Sequence, residues 1–137
     1  MKCQVGFFFL VCGSAMLCIA AAAPITESAL VGKWYTGDGL GYNVDLTLRA
    51  DSSYDAVWTG CLGTYGTAKG RWHFDGRKLT FAPTDEKDMM RNHLRTLTVI
   101  PDKHKIVLVP PKSLADFKKW GSDPPFWCYV RAHKDSK

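Results

Sequence analysis

From residue 31 onward, apolar and polar side chains alternate with a period of two, interrupted at short intervals by turn residues. Val31–Thr36 is a first short segment carrying Trp34. Tyr42, Val44, Leu46 and Leu48 then share one side of a segment whose other side holds Asn43, Asp45, Thr47 and Arg49, the pattern of a half-buried strand. Asp51-Ser52-Ser53 makes a turn, and Tyr54, Ala56 and Trp58 resume the alternation. Gly60–Gly66 reads as a loop centred on Cys61-Leu62-Gly63. Ala68, Gly70, Trp72 and Phe74 face one way beyond it, with Lys69, Arg71 and His73 opposite, and Asp75-Gly76 predicts a tight hairpin into Leu79 and Phe81. Pro83–Asn92 is polar, a loop or a helical turn around Met89-Met90. Leu94–Ile100 and the continuous apolar run Ile106–Val109 are further strands, and Phe126–Ala132 is the last. Between these, Ser113–Trp120 predicts a short helix that Ser113 can cap, with Leu114, Phe117 and Trp120 on one side.

Strands joined by such short turns must pair antiparallel. About eight of them around one core protect their edges most simply by curling into a cylinder. The expected class is therefore all-β: an up-and-down antiparallel barrel with one short helix before the last strand. Leu46, Leu48, Trp58, Trp72, Leu79, Phe81 and Ile106 would face its interior. An eight-stranded barrel is wide enough either to be filled by such side chains or to hold one small molecule. If a pocket exists, Tyr42, Tyr54, Trp58 and Trp72 are its expected wall.

The first residues follow a different logic. Lys2 precedes an apolar run from Val5 to Ile19, which ends in Ala20-Ala21-Ala22-Ala23-Pro24. A positive start, a greasy middle and small residues before a cleavage point are the features of a secretory leader, here residues 1–23, leaving a single domain at 24–137. An uncleaved anchor is the alternative, although Gly13-Ser14 interrupts the run. The protein is thus expected to be secreted or periplasmic. Cleavage would remove Cys3, Cys12 and Cys18 and leave Cys61 and Cys128. Two cysteines in an exported chain usually form a disulfide, which here would close a loop of roughly seventy residues, worth about 4 kcal/mol on chain entropy. Separate thiols or a metal pair are the alternatives.

Gly32-Lys33-Trp34 resembles the Gly-x-Trp opening of the lipocalins and their calycin relatives. That resemblance implies a barrel whose floor is closed by Trp34, with Arg131 near the end of the last strand packed over it, and a bridge from mid-barrel to the C-terminal region. The chain departs from the family pattern in lacking Thr-Asp-Tyr before the seventh strand, where it reads Ile100-Pro101-Asp102-Lys103-His104, and in placing its helix before the last strand. Leu30–Trp34 with Leu40-Gly41-Tyr42-Asn43 also resembles the start of avidin, a likeness that ends at the second strand. As a whole the chain is similar to small exported lipocalin-like domains of bacteria.

The remaining chemistry is sparse. His73, His93, His104 and His133 share no metal-ligand spacing and read as surface or turn residues, so no metal and no cofactor are expected. No serine or cysteine sits in a nucleophile elbow, and Asp85-Glu86 with Asp88 lacks the oxygen spacing of a calcium loop. Gly37–Gly41 is either a lid over one barrel mouth or a plain connection. The chain carries 18 Lys+Arg against 13 Asp+Glu, a net +5 spread along its length, without the interleaved surface aromatics of a nucleic-acid binder. The expectation is a monomeric, non-enzymatic binding protein for a small apolar or aromatic ligand held in the barrel. The rival is an envelope or extracellular interaction protein, structural or a hydrolase inhibitor, with a filled core and a working surface.

Overall fold

The computed structural model describes residues 23–121 and 127–132. The expected leader and the start of the expected last strand lie outside these residues. No helix among them is long and apolar enough to cross a membrane.

Seven strands run up and down in sequence order: β1 (Gly32–Gly37), β2 (Asn43–Leu48), β3 (Ser53–Gly60), β4 (Gly63–Phe74), β5 (Lys78–Asp88), β6 (Thr96–Asp102) and β7 (Lys105–Val109). Helix α1 (Leu114–Trp120) follows, and β8 (Val130–Arg131) returns to the edge of β1. Arg131 pairs with Trp34 and Val130 with Tyr35, while Tyr129 bridges to Leu108 of β7 through reciprocal bonds of 2.7 and 3.0 Å. The sheet therefore curls into a nearly closed eight-stranded barrel, with the short helix before the last strand, as the period-two pattern implied. The final strand is much shorter than Phe126–Ala132, and Ser113 makes no side-chain cap on the helix.

Large and small residues interlock across the interior. Tyr54 faces Gly70, Ala56 faces Ala68 and Trp58 faces Gly66, so β4 surrenders volume where β3 supplies rings. A Cβ on Gly70 would lie 2.2 Å from the Ala82 carbonyl, which makes glycine obligatory where the two strands draw together. Inward residues of β1 to β7 then merge into one cluster with Trp34, Leu46, Leu48, Leu79, Leu97 and Leu108 fully or almost fully buried. The run Ile106–Val109 is apolar throughout because both of its faces are covered. Leu108 points into the barrel, whereas Val107 and Val109 pack outside it with Phe117 of α1 and Cys128.

The two ends differ. At the closed end the Trp34 indole donates to the Leu30 carbonyl at 2.8 Å, and the Arg131 guanidinium lies 4.1 Å over the indole ring. Arg131 also donates to the carbonyls of Val31, at 2.8 Å, and Ala29. Gly32 is required there, because a Cβ would strike the guanidinium and its φ of 133° is unfavourable to side chains. Gly32, Trp34 and Arg131 thus meet one another at this end.

At the open end β5 and β6 pair only through Lys78–Thr80 and Thr96–Thr98, then diverge. Pro83–Asp88, expected as a loop or helical turn, instead continues β5 beside β4 past a bulge at Lys69/Gly70 that accommodates Pro83. Residues 89–95 fold back into the gap, burying Met90 and Leu94. Gly60–Gly66 is likewise mostly strand, a tight hairpin whose Gly66 lets the Lys87–Met90 backbone approach.

Candidate functional site

A cleft of about 350 Å3 opens beside residues 92–97 and the Pro110–Lys112 segment leaving β7. Leu94, Leu97, Pro110 and Pro111 give it apolar walls, Tyr42 and His93 flank it, the exposed Lys112 stands at its lip and the buried Tyr129 belongs to its lining.

Local sequence fixes each of these groups. Asp38 accepts the backbone N–H groups of Leu40 (2.8 Å) and Tyr42 (3.1 Å), and Asn43 accepts that of Gly39 (2.9 Å) and the Tyr35 hydroxyl (2.6 Å). The Gly37–Gly41 turn is therefore tied down, which favours a plain connection over a lid, and it sets Tyr42 at the start of β2. The Tyr42 ring meets Trp58 edge-on at 4.7 Å, and His93 joins both, its ring centroid 4.8 Å from that of Trp58 and its Nε2 3.5 Å from the Tyr42 oxygen. His93 is held there by a clamp on its own loop. Arg95 donates to both Glu86 carboxylate oxygens at 2.7 and 2.8 Å and to Asn92 Oδ1 at 2.6 Å, while Asn92 takes a left-handed φ of 58°. These contacts keep the Glu86 carboxyl below its ordinary range, with the Arg95 hydrogen bonds as the main cause.

Burial lowers the His93 pKa, helped by the positive charge of Lys112, so the imidazole is neutral near pH 7. Tyr129 is held in its phenol form far above its usual titration, first by complete burial and then by the nearby Tyr42 oxygen. Its hydroxyl, like those of Tyr54 and the indole N–H of Trp58, is shielded from solvent and has no hydrogen-bond partner among the described residues. A buried phenol without a partner costs about 1–3 kcal/mol.

The structure sorts the expected wall residues into two groups. Tyr42 lines the cleft and Trp58 supports it from behind. Tyr54 and Trp72 are elsewhere: Tyr54 is buried against Phe81 with ring centroids 4.9 Å apart, and the Trp72 indole donates to the Arg49 carbonyl at 3.1 Å near the closed end. They fill the core. His93, Lys112 and Tyr129 were not among the expected residues. His93, read as a surface or turn residue, lies in a turn and is half-buried.

The Cys61–Cys128 bridge is not formed. Cys61 sits exposed at the β3–β4 hairpin tip with its thiol 3.5 Å from the Leu40 carbonyl, whereas Cys128 is buried outside the barrel wall with Val107, Val109 and Phe117. The closeness that glycines permit near Cys61 serves other contacts instead: Gly60 lies against the Tyr65 ring and the Gly41 carbonyl, and Gly66 against the backbone of residues 87–90. Among the described residues no cluster of three or more His, Cys, Asp or Glu side chains could hold a metal. No family model matches the chain, nor does any curated protein or solved structure.

Proposed function

We propose that this is an exported, non-enzymatic binding protein that holds a small, largely apolar or aromatic ligand. The site is the cleft at the open end, because side chains from Trp34 to Phe81 fill the barrel interior itself. The observation that carries the reading is a cleft of about 350 Å3 walled by Leu94, Leu97, Pro110, Pro111 and Tyr42, with the buried Tyr129 in its lining. That volume lies at the small end of the range for ligand sites, about 300–1,000 Å3, and their usual make-up is the same: apolar walls with a few placed polar groups. Native mass spectrometry of protein taken from its own host tests this. A mass adduct that is lost on solvent extraction is expected, together with quenching of Trp58 fluorescence when the extract is returned. Protein without an adduct, and unresponsive to its host's extract, refutes the proposal.

A second reading has one observation of its own. Leu40, Leu62 and Met89 are 72%, 91% and 54% exposed on three neighbouring turns at the open end. Protruding apolar tips suit contact with a larger partner. Under that reading the L40S/L62S/M89S variant loses its partner and keeps the small ligand.

A further inference from the structure

We infer that the cleft selects a monoanionic amphiphile, a small organic acid whose carboxylate is held at Lys112 while its apolar body lies on Leu97 and Pro110. The inference rests on the binding reading above and adds the ligand's chemical class.

Among the described residues the cleft lining contains three basic side chains, His93, Arg95 and Lys112, and no aspartate or glutamate. The charge of Arg95 is already matched by the two-pronged pair with Glu86. His93 is kept uncharged by its apolar surroundings. Lys112 remains, and it has no ion pair among the described residues. One uncompensated cation at the lip of an apolar cleft complements a single negative charge. Another polar group agrees in sign. The Tyr42 hydroxyl has only a 3.5 Å contact with His93, so it can donate to an acceptor oxygen. A cationic ligand would meet like charge on this wall, and a neutral one would leave the ammonium unanswered. A dianion would exceed the single positive charge on offer.

Calorimetric titration of the full protein with phenylbutyrate, phenylbutanol and phenylbutylamine, which share one apolar body, tests the inference. The acid is expected to bind about tenfold more tightly than the alcohol, and the amine most weakly. K112M should bring the acid down to the level of the alcohol without changing the alcohol's affinity, and K112R should restore the difference. Raising salt from about 0.02 to 0.5 M should narrow the acid–alcohol gap in the unaltered protein, a readout that needs no variant. Equal binding of acid and alcohol, or a gap indifferent to salt, overturns anion selection and leaves the binding proposal standing. Failure of all three compounds to bind at millimolar concentration overturns both.

Discussion

Replacing Arg131 by methionine keeps most of its aliphatic stem and removes the guanidinium that joins the closed end. Three interactions go at once: the stacking over Trp34 at 4.1 Å and the bonds to the Ala29 and Val31 carbonyls. A cation–π contact is worth about 0.5–2 kcal/mol and a charge-assisted hydrogen bond about 1.5–3 kcal/mol. Because the arginine is partly exposed and water can replace it at both carbonyls, about 1 kcal/mol per bond is the fitting value, giving a total loss of about 3 kcal/mol. That is a large part of the roughly 5–15 kcal/mol that holds a domain together. Urea unfolding followed by tryptophan fluorescence should show a lower midpoint with an unchanged slope, since the surface exposed on unfolding is the same. A cycle with W34F should return a coupling of about 1 kcal/mol between the two side chains. An R131M protein within about 0.5 kcal/mol of the parent, or a cycle with no coupling, would show that the closed end is held by other contacts.

Three further outcomes follow from the geometry. The folded-state pKa of Glu86 lies below the ordinary 4.5, so its pair with Arg95 stabilises fully above about pH 4.5 and is lost as the pH falls through the lower folded value. E86Q should cost about 1 kcal/mol at pH 7 and flatten the acid limb of a urea-midpoint profile; an unchanged limb refutes the clamp. Alkylation of the native protein followed by peptide mapping should label Cys61 quickly and Cys128 only on unfolding, and a Cys61–Cys128 linked peptide would contradict the structure. Y129F removes a buried hydroxyl without a partner, so it should raise stability by up to about 1 kcal/mol while weakening ligand binding. Calorimetry and titration on one sample check both signs, and a destabilised variant would mean that the hydroxyl is bonded.

Much of the barrel was legible because one face of β2, β3 and β4 is wet and the other dry, which writes period two directly into Tyr42–Leu48 and Tyr54–Trp58. Asp75-Gly76 was equally plain: the Asp75 carboxylate accepts from Arg77 and Lys78, and Gly76 takes a φ of 96°. Gly32, Trp34 and Arg131 stand out only through the likeness of Gly32-Lys33-Trp34 to the lipocalin Gly-x-Trp opening, since nothing in the local pattern couples positions so far apart in the chain. Pro83–Asp88 misled because the outer half of β5 runs beyond the core, where solvent reaches most of its length and the alternation disappears. The cysteines misled because a count of two says nothing of direction: Cys61 points to a hairpin tip and Cys128 out through the wall. The cleft was hidden for a related reason. His93, Lys112 and Tyr129 are far apart in sequence, and they meet only because β5 and β6 separate and a loop fills the space.

Tyr129 has two duties. It is the residue through which the last strand touches β7, and it belongs to the lining of the cleft. The seam that shuts the cylinder and the surface that meets an occupant are therefore one side chain and its own backbone. A guest lodged there would act as a rivet across the weakest join of the wall, so that loading should slow amide exchange at Leu108 and Tyr129 before anywhere else.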